Sequence, residues 1–402
     1  MIHLETPKRL KPLIHQAHEI GAGMFRPISR KYDRLEHTAP VELEMLGSLM
    51  DGMNAVGGQG AGAGKLKQDA GGDDAGVRNG ANMAAVLGMI ELCWGDVGLA
   101  LSIPRQGLGN AAIAAVANEE QLERFNGRWV AMAITEPHAG SDSAAIRATA
   151  ERDGDDYVLN GEKIYVTAGE RADALVVWAS LDRSVGRAAM KAFLVEKDRP
   201  GLTLDRLEHK LGIRASDTAA FRLENCRVPA GNLLGSPEID TSKGFAGVMQ
   251  TFDNTRPIVA AMAVGLARAA IEETRRILGE AGVKLDYRRP RTHGHAAAAR
   301  LMECEADYEA ARLLTLRAAW MADNGQPNAL EASMCKAKAG RTAVDTALAC
   351  VELCGAAGYG ETELVEKWAR DAKILDIFEG TQQIQLLIVA RRLLGKSSAE
   401  LK

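Results

Sequence analysis

An excess of charge of one sign is missing from this sequence, and so is any basic stripe interleaved with aromatics. The formal net charge is −4 and the pI about 6.1, so there is no electrostatic footprint for nucleic acid. The short cluster Arg288, Arg289 and Arg291 reads as a solvated loop. No apolar run reaches the roughly 18 residues of a membrane span. The segment from Met1 to Lys8 carries charge and lacks the apolar stretch of a secretory leader. CxxC spacing is absent among Cys93, Cys226, Cys304, Cys335, Cys350 and Cys354. The expectation is therefore reduced core thiols, no metal site, no membrane, no nucleic acid and a cytoplasmic location.

The 402 residues suggest two or three domains. Three regions with different hydrophobic periods divide the chain. Residues 1–128 read as a helical domain. Leu10, Leu13, Ile14, His18 and Ala22 recur at helical spacing, as do Val86, Met89, Ile90 and Cys93. Between these sets lies a glycine-dense stretch, Gly57 to Gly76, with almost nothing to bury and the composition of a surface loop. Over residues 129–238 the period becomes two, which predicts a small antiparallel β domain. Asn160-Gly161, between two β-rich runs, reads as a type I′ hairpin turn. Residues 239–402 return to helices. Phe245, Val248, Phe252, Val259, Met262, Leu266 and Ala269 share a face, with Pro257 as a kink within it. Asp323-Asn-Gly325 stops one helix, Asn328-Ala-Leu-Glu331 has the form of a capping box opening another, and a last helix starts near Thr381.

Three segments carry chemistry. The first is Ala131-Met-Ala-Ile-Thr-Glu-Pro-His-Ala-Gly-Ser-Asp142. A reduced flavin accumulates negative charge near N1 and O2 and needs donors there, such as backbone N–H groups and a threonine hydroxyl. A pyrophosphate needs a turn such as Gly140-Ser141 with its N–H groups aimed outward. Read alone, the segment is equally compatible with a surface turn. The second is Lys163-Ile-Tyr-Val-Thr-Ala168, where Tyr165 suits shielding of a flavin edge and Thr167 suits donation to it; any half-buried strand carries such residues. The third is Arg370 to Gln385. Here Glu379 stands between Phe378 and Gly380 just ahead of a helix start, a setting in which desolvation raises a carboxylate pKa toward that of a working base. Gly380 permits close approach of a ligand to the backbone. The plain alternative is that Glu379 and Thr381 only punctuate two helices, with Thr381 as N-cap.

Taken together, Thr-Glu-Pro-x-Ala-Gly-Ser-Asp in mid-chain and Arg-Asp-Ala-Lys-Ile…Glu-Gly-Thr-x-x-Ile-Gln near the end resemble the acyl-CoA dehydrogenase family. Lys210-Leu-Gly-Ile-Arg-Ala-Ser-Asp217 and Phe252-Asp-Asn-Thr-Arg-Pro257 extend the match over nearly the whole chain. The resemblance implies an N-terminal helical domain, a middle β barrel and a C-terminal four-helix bundle. It implies FAD as cofactor and oxidation of acyl-CoA thioesters to 2,3-enoyl-CoA, as in fatty acid β-oxidation. By the same resemblance Met132, Ile134, Thr135, Gly140, Ser141, Tyr165, Thr167, Thr381 and Gln383 meet FAD. Ser141, Asp253, Arg256, Phe378 and Gly380 meet the acyl-CoA, and Glu379 is the base. The family usually has Trp where Tyr165 stands. Some relatives carry the base at the position of Thr255, which leaves Glu379 to serve here.

The sequence departs from the family where one subunit reaches another. An Arg-x-x-Phe-Gly loop that meets the neighbouring FAD is replaced by Gly279 to His293, and a Gln-x-x-Gly-Gly-x-Gly segment appears as Glu352-Leu-Cys-Gly-Ala-Ala-Gly358. This pattern is similar to heteromeric actinobacterial members and implies an α2β2 tetramer in which a homologous partner supplies the missing residues. A homotetramer in which Arg288 or Arg289 substitutes is the other arrangement. The usual electron acceptor is an electron-transfer flavoprotein. An acyl-CoA oxidase and a non-catalytic subunit are the competing assignments.

Overall fold

The computed structural model describes residues 7–47, 80–104, 108–240, 246–397 and 400, with side chains undescribed at 144 and 246–254. The Gly57–Gly76 stretch and the side chains of Phe245, Val248, Phe252 and Asp253 lie outside the described residues.

Helices fill the first part: α1 (Lys11–Ile20), α2 (Arg26–Arg34), α3 (Ala81–Gly95), α4 (Leu108–Val116) and α5 (Glu119–Arg124). A π-helical turn, Gly21–Phe25, links α1 to α2. Strands follow: β1 (Val130–Ala133), β2 (Thr149–Asp153), β3 (Asp156–Thr167), β4 (Ala174–Ser180), β5 (Met190–Glu196), β6 (Leu202–Leu207) and β7 (Thr218–Pro229). The rest is helical: α6 (Ala246–Glu280), α7 (Ala296–Asp323), α8 (Ala329–Cys354), α9 (Val365–Leu375) and α10 (Gln382–Leu394).

The strands form one seven-stranded sheet, ordered β1-β4-β2-β3-β7-β6 with β5 also on β4. It is mixed, contrary to the antiparallel expectation: β1 and β2 each pair with β4 in parallel. Inward residues of β1 and β4 (Ala131, Ala133, Leu175, Val177) share a core with those of β3 and β7 (Leu159, Val166, Phe221, Val228), so the sheet curls over its own interior. The alternate residues of β4, Ala174, Val176 and Trp178, pack against α4 and α5 on the other face.

The Asn160-Gly161 expectation is corrected. Both residues lie inside the continuous strand β3, and the β2–β3 turn is at 153–156, where Gly154 has φ +64°. Gly161 has φ +146° at a register shift against β7, and a Cβ there would stand 2.7 Å from the Cβ of Ala148. The glycine serves a bulge and a close strand approach. Asn160 instead accepts from the Asn225 amide, 2.8 Å. The capping box is corrected too: Asn328 is the N-cap of α8, but its side chain donates to Ala318 O rather than capping. Thr381 caps α10 and Gly325 ends α7 with φ +63°, as the sequence indicates. All six cysteines are free and buried.

The helical regions at the two ends of the sequence share a core. Phe25, Val86, Ile90 and Cys93 pack with Ala260, Leu266, Leu301, Cys335, Trp368 and Leu375. A buried ionic knot joins this body to the sheet. Lys367 Nζ donates to Asp96 Oδ2 at 2.7 Å and Asp371 Oδ2 at 2.5 Å; Ser29 Oγ also donates to Asp96, and the Ile213 amide donates to Asp371 Oδ1 at 2.5 Å. Two carboxylates around one ammonium hold Lys367 protonated, its pKa raised against desolvation. Gly212 makes the approach possible, since a Cβ there would lie 2.5 Å from the Arg370 backbone.

Candidate active site

The residues singled out in the sequence fall into two clusters. The first sits at the end of β1 and on the outgoing half of β3. Ile134 is buried and Thr135 half-buried, and the Thr135 carbonyl accepts from the Ile164 amide, 2.9 Å. The chain then turns tightly, with Glu136 and Ala139 exchanging backbone bonds, and brings Gly140 and Ser141 to the surface. Glu136 is buried beneath this loop. Its carboxylate accepts from the Arg147 amide at 2.5 Å, the Ala148 amide at 3.0 Å and Lys163 Nζ at 2.7 Å. Lys163, fully buried, also donates to Ile134 O at 3.2 Å. Burial pushes its ammonium down to about 8, and the Glu136 carboxylate works against that shift. The ion pair thus ties the 134–141 loop to β3. On β3 a second register shift falls between Lys163 and Val166, and Tyr165 sits in it with φ +56° and 60% of its surface exposed. A large aromatic held outward in left-handed backbone is a conformation that costs free energy and recurs at ligand sites.

The second cluster is built on the helices. α9 ends at Leu375, and the chain reverses through Asp376 to Gly380 before Thr381 caps α10. Glu379 stands in this reversal with φ +55°, followed by Gly380 at +92°. Two buried side chains pin the peptides. Gln385 Nε2 donates to Glu379 O at 3.0 Å and Gly380 O at 3.2 Å, and Lys336 Nζ on α8 donates to Gly380 O at 2.7 Å. A Cβ on Gly380 would lie 2.4 Å from Gln385 Nε2, so this glycine is required by the amide beneath it and by its φ.

The Glu379 carboxylate accepts from Thr255 Oγ1, 2.8 Å. Part of the residue remains open to solvent, yet protein surrounds the carboxylate closely enough that desolvation raises its pKa. The Thr255 bond and the charges of Lys336 and Arg256 partly oppose that rise. Arg256 is buried, with Nη1 3.4 Å from Ser333 Oγ. Lys336 is itself held down to about 8 by burial, opposed by Asp376 and Glu379. The chemistry is that of a base with elevated proton affinity and cationic charge behind it. Phe378 is half-buried, Gln383 exposed and Met132 half-buried.

Residues 131–226 match the family described as acyl-CoA dehydrogenase, middle domain, and residues 242–394 match the acyl-CoA dehydrogenase C-terminal domain. Cyclohex-1-ene-1-carbonyl-CoA dehydrogenase of Geobacter metallireducens is 38% identical over 280 residues, 69% of this chain and 72% of that protein. The chain belongs to the acyl-CoA dehydrogenase family. Mitochondrial short-chain specific acyl-CoA dehydrogenase of Rattus norvegicus is 40% identical over 268 residues, 65% of this chain and 62% of that protein. The structure of butyryl-CoA dehydrogenase from Megasphaera elsdenii superposes with a TM-score of 0.83 at 30% identity, covering 98% of this chain and 100% of that one.

Acyl-CoA dehydrogenases are oxidoreductases with FAD as cofactor, and the first cluster fits such a group. Tyr165 offers an exposed ring beside partly exposed Thr135 and Thr167, and Gly140 borders open space where a Cβ would project. Sequence reasoning passed over the residues that hold the two clusters in shape: Glu136, Lys163, Lys336 and Gln385. A lysine or glutamine in a helical or strand period reads as a surface residue. Only the packing reveals that all four are buried. Among the described residues no helix is long and apolar enough to cross a membrane.

Proposed function

We propose that this dehydrogenase converts an acyl-CoA thioester to its 2,3-enoyl-CoA with Glu379 as the base. The observation that carries the proposal is the Glu379 carboxylate itself. Its proton affinity is raised by burial and it accepts one hydrogen bond from Thr255. Gln385 and Lys336 immobilise the peptide that bears it. An α-proton beside a thioester is too weakly acidic for a solvated carboxylate. Desolvation strengthens the base, and a fixed peptide aligns it without further ordering cost. Arg256 and Lys336 oppose part of that rise in proton affinity and so favour the ionised form in which a carboxylate can act as a base. Phe378 and Gly380 flank the carboxylate, and Asp253, Arg256 and Ser141 are the further acyl-CoA contacts in this proposal. Met132, Ile134, Thr135, Gly140, Ser141, Tyr165 and Thr167, with Thr381 and Gln383, would hold FAD. When bound, FAD supplies the acceptor for the hydride from C3.

The test is Glu379→Gln in FAD-loaded protein, mixed anaerobically with a panel of acyl-CoAs. The expected result is retained FAD and acyl-CoA binding with loss of flavin bleaching. Bleaching at the wild-type rate would remove Glu379 from the mechanism.

We infer further that the chain works in an α2β2 assembly with a homologous subunit and passes electrons to an electron-transfer flavoprotein. Glu352 replaces a neutral residue at a family inter-subunit position. Beside it Leu348 and Tyr359 are 55% and 82% exposed, two apolar side chains that a partner subunit would cover. Expression alone and with the homologous subunit tests this. A yellow, active homotetramer would reject the heteromer, and stoichiometric oxygen consumption would favour an oxidase.

A further inference from the structure

We propose that Glu36, His37 and His209 form a binding site for a divalent transition metal of the Zn2+ class, set between the end of α2 and the β6–β7 connection. His37 Nε2 lies 3.3 Å from His209 Nδ1, and His209 Nδ1 lies 3.0 Å from Glu36 Oε2. One donor atom from each residue falls within 4.8 Å of the others. With metal–ligand bonds of about 2.0–2.1 Å, edges of 3.0 and 3.3 Å subtend about 94° and 107° at a central ion, in the range of tetrahedral zinc sites.

Three donor atoms converge here with at most one hydrogen to share among them. If His209 Nδ1 carries its hydrogen and donates to Glu36, His37 Nε2 has neither a free lone pair to accept from nor an unobstructed acceptor to donate to. If instead His37 Nε2 donates to His209 Nδ1, that nitrogen and the Glu36 oxygen face each other as two acceptors at 3.0 Å. With the His37 proton on the buried Nδ1, the tautomer a metal at Nε2 also requires, His37 Nε2 and the Glu36 carboxylate share the single hydrogen of His209 Nδ1. A cation in the middle engages all three lone pairs at once.

The donors are also positioned in advance. Glu36 Oε1 accepts from the Lys210 amide at 2.9 Å, and His37 is held in left-handed backbone with φ +68°. Nearby positive groups have other partners: Lys210 Nζ donates to Ser216 O, and Arg214 Nε to Lys210 O. Imidazole and carboxylate donors favour Zn2+, Co2+ or Ni2+ over Mg2+ or Ca2+. The His209 side chain is 82% exposed, which leaves an entry path and an open fourth position. Such a site would staple the N-terminal helices to the sheet.

The experiment uses tag-free, FAD-loaded protein titrated with Zn2+ by calorimetry and with Co2+ by visible absorption. Expected are one equivalent bound with a tetrahedral Co2+ spectrum and a Zn2+-dependent rise in the unfolding temperature. His209→Ala, and His37→Gly, which suits the left-handed backbone, are each expected to weaken binding at least about tenfold and to abolish the thermal shift. No stoichiometric uptake, or uptake unchanged in both variants, overturns the proposal. Loss of activity in Glu379→Gln bears on neither outcome.

Discussion

Replacing Lys336 by methionine should move the acid limb of the kcat–pH profile to higher pH. The base works only when ionised, so activity rises as pH passes through the pKa of Glu379 in the substrate complex. Burial raises that pKa, while the Thr255 hydroxyl and the Lys336 and Arg256 charges hold it down. Groups acting on the carboxylate come from two helices, Thr255 and Arg256 on α6 and Lys336 on α8; Asp376, after α9, acts on Lys336 and pairs with Arg341 at 3.0 Å and Lys373 at 3.2 Å. A unit charge about 6 Å away at an effective dielectric of about 20 contributes 332/(20 × 6), about 3 kcal/mol, or about two pH units. Arg256 remains in the variant, so a shift of about one to two units upward is expected. Methionine also removes the bond to Gly380 O, so kcat at the plateau should fall while KM changes less. Lys336→Arg keeps the charge and should hold the limb within about half a unit. The assay is steady-state turnover across pH at saturating acyl-CoA, with FAD content measured for each variant. A Lys336→Met limb that stays in place or moves to lower pH would refute the electrostatic role assigned to this lysine.

Other outcomes follow from the same geometry. Lys367→Met strands Asp96 and Asp371 in the interior and should cost about 3–5 kcal/mol in denaturant unfolding; a change under about 1 kcal/mol would contradict the ionic knot. Lys163→Met removes the ion pair between the 134–141 loop and β3 and should raise the FAD dissociation constant about tenfold or more, read by flavin fluorescence on dilution; unaltered affinity would separate the ion pair from the cofactor. Gly161→Ala forces a Cβ against Ala148 at positive φ and should destabilise by about 1–3 kcal/mol, which thermal unfolding of the purified variant would register.

Much of the fold was legible from hydrophobic period: 3.6 residues in α3 and α6, two in the first part of β3 and the second part of β7. Turn chemistry was less secure. Asn160-Gly161 has the composition of a hairpin turn, but the register shift against β7 and the approach of Ala148, just ahead of β2, show that the glycine serves a bulge. Glu379 stood out because a carboxylate between Phe378 and Gly380 ahead of a helix cap is locally conspicuous. What surrounds it did not, since Lys336 lies 43 positions earlier in an alanine-rich helix and Arg256 a further 80 earlier. The Glu36–His209 pairing spans 173 positions and leaves no mark in local spacing.

The shared core of the terminal helical regions sets a timetable for synthesis. When Phe25, Val86 and Ile90 leave the ribosome, their partners Ala260, Leu301 and Trp368 are still untranslated. The intervening sheet can close on its own interior first. Meanwhile the early helices carry an uncovered apolar face through most of translation, a clear target for holding chaperones. Completion waits for α9, whose Lys367 inserts between Asp96 and Asp371 and links early helices, sheet and late helices in a single late event.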